Sequence, residues 1–167
     1  MGAFDPWFAK GIYDPIGLVK GWGADKAVKK LQEFGALSGQ VNAAGDISVF
    51  GSYPNERGLK PWKIGIRSPW DPLKVVKVFE MNDGAIATSG TYEKGAHIIN
   101  PRTGLPATGA LSATVVGPNG AWAEALATAL VVSGREGVNW FQMPELSEYG
   151  AWVIDRHSEI AWSVGRL

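Results

Sequence analysis

The chain has 167 residues, 46% hydrophobic and 19% charged, with sixteen basic residues balancing sixteen acidic ones. These values fit one compact domain with a sizeable core and exclude a disordered chain or a coiled coil. Charge balance leaves no long-range field to draw the chain onto nucleic acid or an anionic membrane. The absence of cysteine excludes disulfides, thiolate metal centres and a cysteine nucleophile.

Residues 1–17 hold Asp5-Pro6, Asp14-Pro15 and Gly17, turn formers that predict a loop-rich entry. From Leu18 to Phe34 the spacing of Val19, Trp22, Ala27, Val28, Leu31 and Phe34 predicts an amphipathic helix with that apolar stripe inward, stopped by Gly35. Short strands are expected around Val41 and Ile47 to Val49, then over Trp62 to Ile66, with Ser52 to Pro61 a surface loop. Val75 to Met81 and Ala85 to Ser89 are expected to form a hairpin about Asn82-Asp83-Gly84, and Leu111 to Val116 adds a strand. A second helix is predicted over Ala121 to Val132 with Gly134 as its stop, followed by a short helix near Arg135 to Phe141. Tyr149 to Ile154 and Ile160 to Val164 close the chain as a hairpin. Strands and helices in runs give an α+β class, antiparallel sheet packed with two main helices. No stretch approaches the roughly twenty apolar residues of a membrane span. Most of the eight tryptophans are expected in the core.

Four polar clusters interrupt this apolar background. In the first, Asp14, Gly17 and Lys20 follow at intervals of three, which brings a carboxylate, a backbone carbonyl and an ammonium to one side of a starting helix. That set suits a phosphate with its cation, or equally a helix start capped by Asp14 with Lys20 in solvent. The second, Asn42 to Asp46, is a turn or a close-approach site ending in a carboxylate. The third joins the hydroxyls of Thr88 and Ser89 to a segment with His97, Arg102 and Thr103, residue types suited to anion chemistry, although a lone histidine is more often structural. The fourth places Glu124 and Thr128 four apart on one helix face, where their oxygens can share a hard cation such as Mg²⁺ or remain surface groups.

Taken in order, Asp14-Pro-Ile-Gly17-Leu-Val-Lys20-Gly21-Trp22, Asn42-Ala-Ala-Gly45-Asp46, Ala87-Thr88-Ser89-Gly90, His97-Ile-Ile-Asn-Pro-Arg-Thr-Gly104 and Ala123-Glu-Ala-Leu-Ala-Thr128 resemble the ApbE family of FAD:protein FMN transferases. The resemblance runs from about Phe4 to the C-terminus. It implies a fold related to the T-fold and Mg²⁺-dependent transfer of FMN from FAD to a Thr or Ser hydroxyl of an acceptor protein, with release of AMP. Carried over by motif, it implies that Asp14 and Lys20 contact FAD, that Ile99 lines the flavin site, and that Gly17, Glu124 and Thr128 hold the metal. His97 would assist deprotonation of the acceptor hydroxyl. The chain departs from the family pattern at Asn100 and Glu124, where Asp is usual, and at Ala127, where some members carry a further carboxylate. Family members usually carry an additional N-terminal stretch, and residues 1–167 are expected to be a single domain without it. A non-catalytic FAD-binding remnant is therefore the alternative; a tryptophan-rich carbohydrate-binding module leaves the Lys20, His97 and Glu124 clusters unexplained. The resemblance further implies a place at the cell envelope, for which the chain shows no signal of its own, and leaves a homodimer open.

Overall fold

The computed structural model describes residues 2–7, 11–56, 58–92, 95 and 97–167. Its elements in chain order are α1 (Val19–Glu33), β1 (Gly39–Ala43), β2 (Asp46–Phe50), β3 (Tyr53–Asn55), β4 (Gly58–Lys60), β5 (Trp62–Arg67), β6 (Val75–Met81), β7 (Gly84–Gly90), β8 (Ala110–Gly117), α2 (Gly120–Ser133), β9 (Gly150–Asp155) and β10 (Ala161–Gly165). A 3₁₀ run over Gly134–Gln142 stands where a short helix is predicted. Six strands form an antiparallel sheet in the order β1-β2-β7-β8-β9-β10.

Both faces of this sheet are covered, which explains why β9 is apolar without alternation. Its Ala151 and Val153 pack with α2 residues such as Leu126, Leu130 and Val131 in one cluster. Trp152 and Ile154 point to the other face and pack with Ile64, Ile66 and Phe79 of the β5–β6 ribbon. Each such large side chain contributes roughly 1.5–3 kcal/mol by leaving water. The layers are thus helices, sheet and ribbon, and the class is α+β.

Four local expectations are corrected. Val75–Met81 and Gly84–Gly90 do not form a hairpin: β6 pairs with β5, Trp62 opposite Met81, whereas β7 pairs with β2 and β8. The Asn82 and Asp83 side chains accept hydrogen bonds from Ser52 and Gly51 instead, so the chain steps from ribbon to sheet rather than reversing on itself. The segment expected as loop over 52–61 contains the short exposed β3–β4 ladder. In α1 the apolar stripe is not the buried face: Val19, Trp22, Leu31 and Phe34 are exposed, and the buried positions are Gly21 and Ala24. Small residues win there because α1 crosses α2 at backbone distance; a Cβ on Gly21 would collide with the Gly120 carbonyl. Finally, Trp7, Trp22, Trp70 and Trp122 are exposed, so half of the eight tryptophans are not core.

α2 fits its place by composition. Asn119 caps it by accepting the Trp122 N–H at 3.0 Å, and nine of its fourteen residues are buried, which its runs of alanine, leucine and valine permit. No helix among the described residues is long and apolar enough to cross a membrane.

Candidate functional site

The helix crossing decides what faces the adjoining cleft. Gly21 brings the first turn of α1 onto α2, so its neighbour Lys20 reaches across to Glu124, and the Gly21 N–H donates to Glu124 Oε2 at 2.9 Å. Asp46, the first residue of β2 after the Ala44–Gly45 turn, meets the same ammonium from the other side. Lys20 thus bridges two carboxylates that are nearly inaccessible, Asp46 at 3% exposure and Glu124 at 1%.

Burial pushes the Asp46 carboxyl up to about 6, against the pull of Lys20. Burial alone would lower Lys20, but the hydrogen bonds and charge of Asp46 and Glu124 outweigh it and hold the ammonium above its ordinary value. Two carboxylates thus share one ammonium, an excess of acidic over basic groups that a cation would balance.

Beside this triad, Thr128 Oγ1 lies 3.0 Å from Ser89 Oγ at the end of β7, and Thr88 Oγ1 lies 2.9 Å from the buried Thr114 Oγ1. Gly17 adopts φ +102°, a conformation open to glycine, and a Cβ there would come 2.8 Å from the Phe4 ring and 3.5 Å from Thr128 Oγ1. Asp14 does not cap α1. Its Oδ1 accepts the Ile16 N–H at 2.9 Å in a turn ahead of the helix, whose N-cap Leu18 makes no side-chain bond.

The remaining wall is the loop between β7 and β8. A small hairpin holds it, with Ala107 N–H donating to the Ile98 carbonyl at 2.8 Å, Asn100 N–H to the Leu105 carbonyl at 2.8 Å, and Ile99 bridged to Pro106. His97 is exposed at its edge and Nδ1 lies 3.1 Å from the Gly95 carbonyl. A carbonyl only accepts, so Nδ1 donates to Gly95, which leaves Nε2 as the ring nitrogen that faces away from this bond.

Asp14, Gly17, Lys20, His97, Ile99, Glu124 and Thr128 all line one cleft of about 240 Å³. The seven residues singled out from the sequence are therefore neighbours in space, drawn from α1 and its preceding turn, α2 and the β7–β8 loop. Of the further lining residues, two had weaker signals and one had none. Asp46 was visible as an acid opening an apolar strand, and Ser89 as a hydroxyl at a strand end, but Phe4 has no polar signature at all. His157 sits outside the cleft in the β9–β10 turn, its N–H donating to Asp155 Oδ1.

Among the described residues no three His, Cys, Asp or Glu side chains gather into a metal cage. The donors available are of another kind: the Glu124 carboxylate, the Thr128 hydroxyl and the Gly17 backbone, hard oxygens suited to a cation that keeps several waters. Both Glu124 oxygens already accept one hydrogen bond each and retain a lone pair. With the negative surplus of the triad, this set fits Mg²⁺.

The cleft thus joins two buried carboxylates, a bridging lysine and an exposed histidine on a separate wall, set in an α+β domain. Comparison with known proteins gives the family. The ApbE family model matches residues 13–149, and the chain belongs to the ApbE family. It is 37% identical over 126 residues to the FAD:protein FMN transferase of Rhodobacter capsulatus, covering 70% of this chain and 23% of that protein. It is 37% identical over 129 residues to the enzyme of the same name from Vibrio cholerae, covering 71% of this chain and 38% of that protein. Among solved structures it is similar to the flavin transferase ApbE from Vibrio cholerae, with a TM-score of 0.78 and 30% identity over 93% of this chain and 51% of that one. The ApbE protein from Thermotoga maritima gives a TM-score of 0.78 at 29% identity over 92% of this chain and 51% of the other. The chain thus spans about half the length of these solved relatives and less of the curated ones.

Proposed function

We propose that the chain supplies the catalytic cleft for transfer of FMN from FAD to a Thr or Ser hydroxyl of an acceptor protein. The acceptor oxygen bonds to the flavin-side phosphorus, the pyrophosphate P–O bond breaks, AMP leaves with that electron pair, and the hydroxyl proton passes to a base. The observation that carries this reading is the junction of the Lys20–Asp46–Glu124 triad with His97 around one cleft.

Lys20 and Asp14 would contact the dinucleotide, with Lys20 balancing charge on pyrophosphate oxygen. His97 would accept the hydroxyl proton on Nε2, the nitrogen left free by the bond to Gly95. Ile99 would supply apolar contact for the flavin ring. Gly17, Glu124 and Thr128 would hold Mg²⁺, which when bound neutralises pyrophosphate charge and favours in-line displacement.

The volume of about 240 Å³ lies below the roughly 300–1,000 Å³ of complete small-molecule sites, so these walls would form only part of a dinucleotide's surroundings. That observation favours a second reading, FAD binding without transfer. Incubation with FAD, Mg²⁺ and a threonine-bearing acceptor protein separates the two. Transfer gives AMP in equal amount with flavin covalently attached to the acceptor, whereas binding alone gives saturable, Mg²⁺-sensitive quenching of flavin fluorescence and no AMP. No saturable quenching by a folded chain would overturn both readings.

A further inference from the structure

Arg156, the first residue after β9, lies outside the cleft and has no carboxylate partner among the described residues. Its Nη2 donates to Thr91 Oγ1 at 2.6 Å and lies 3.4 Å from the Ala107 carbonyl and 3.5 Å from the Ala110 carbonyl, while its buried Nε has no partner. Thr91 opens the β7–β8 loop, and Ala107 and Ala110 close it. One nitrogen therefore ties together the two ends of the segment that carries His97.

The connection onward is short. Ala107, whose carbonyl faces Arg156, donates its N–H to Ile98, and the neighbours of Ile98 are His97 and Ile99 on the cleft wall. Thr91 N–H bonds the Leu111 carbonyl at 3.2 Å, so the base of the loop is secured to β8 independently; what Arg156 adds is the link between Thr91 and Ala107. Nη2 has two protons, so one serves the Thr91 hydroxyl and the other is shared, over longer distances, by the Ala107 and Ala110 carbonyls. A half-buried cation held by neutral acceptors, with one donor left unpaired, is poorly explained by stability alone.

We propose that Arg156 is the positioning residue of the His97 loop, holding that wall of the cleft from behind. Its catalytic consequence rests on the flavin-transfer reading above; its structural consequence rests on the loop geometry alone. Removing Arg156 releases Ala107 from Thr91, lets the Ile98–Pro101 wall recede and moves His97 out of register with the anchored triad.

The test uses Arg156→Met and Arg156→Lys in the whole chain. Hydrogen exchange at the Ala107 and Asn100 amides should quicken about tenfold or more in Arg156→Met, with core amides such as Val115 and Val153 unchanged. At saturating FAD the transfer rate should fall about tenfold, with partial rescue in Arg156→Lys and a rise in KM for FAD. In a His97→Ala background the further fall in rate from Arg156→Met should shrink to about twofold, because residues acting as a unit are not additive. Loop exchange within twofold of wild type in both variants would overturn the inference, as would an equal rate loss with and without His97. If Arg156→Met does not fold, the exchange pattern of Arg156→Lys decides. If the wild-type chain transfers no FMN, the flavin reading fails while the exchange data still decide the role of Arg156.

Discussion

The two walls of the cleft are built differently. The triad wall stands on α1, α2 and β2, where Lys20, Asp46 and Glu124 are locked by mutual ion pairs and by a backbone contact between helices. The His97 wall is a loop held by a few main-chain hydrogen bonds and by one arginine behind it. Regular elements fix charge, and the loop fixes the histidine. The difference teaches that damage to the first wall should register as lost stability as well as lost function, whereas damage to the second should register as lost function alone.

The largest effect is expected on the triad wall. Glu124→Ala leaves the Lys20 ammonium with one carboxylate and the Gly21 N–H without its partner. Because Lys20 remains partly solvated, the loss of stability should be about 2–3 kcal/mol, below the value for a fully buried pair. Thermal unfolding should show a midpoint several degrees lower, and Mg²⁺-dependent FAD binding should disappear; an unchanged midpoint would erase the contrast between the walls. On the loop wall, His97→Ala should reduce FMN transfer about a hundredfold. Its thermal midpoint should stay at the wild-type value, since the ring is exposed, and parallel activity and unfolding measurements check both halves. A smaller effect is expected from Thr128→Val, which removes the hydroxyl facing Ser89 but keeps the side-chain shape. Mg²⁺ titration of FAD binding should shift to roughly tenfold higher concentrations, with a thermal midpoint lowered less than in Glu124→Ala.

The smallest effect concerns the support of the triad wall. Tyr149 packs under Gly117, and burial, opposed by a hydrogen bond from the backbone of Asn119, pushes its hydroxyl up to about 12. The folded chain therefore keeps the phenolic proton where the unfolded chain releases it. The stabilisation is complete below pH about 10 and is lost as pH rises through about 12. Urea unfolding across this range should show declining stability in the wild type and a flatter profile in Tyr149→Phe.

Much of this was legible in the sequence, for identifiable reasons. Both helices announced themselves by period and by their glycine stops, and α1 and α2 begin and end within one residue of expectation. The charged and hydroxyl residues that line the cleft stand out against apolar sequence, whereas Ile99 has no such signal and came only from the family resemblance. The inward face of α1 was not legible, because periodicity weighs side-chain hydrophobicity and the contact at Gly21 has no side chain. The β6–β7 hairpin was expected from local turn chemistry, but ribbon and sheet compete for β6, and pairing with β5 buries Phe79 against Ile64 and Ile66. Arg156 gave no signal, since its partners Thr91 and Ala107 lie far from it along the chain and two of its acceptors are carbonyls that every residue carries.

The contact between Gly21 and Gly120 bears on how this site can vary. Most inter-helix spacings are set by side chains, which exchange rotamers and trade one shape for another; here the spacer is the peptide group itself, whose dimensions are the same in every protein. Lys20 and Glu124 flank that contact, so the distance between them is referred to a gauge that substitution can destroy but cannot adjust. Residues around the cleft can be exchanged to suit a different ligand, while the separation of the two charges at its floor stays constant for as long as both glycines remain.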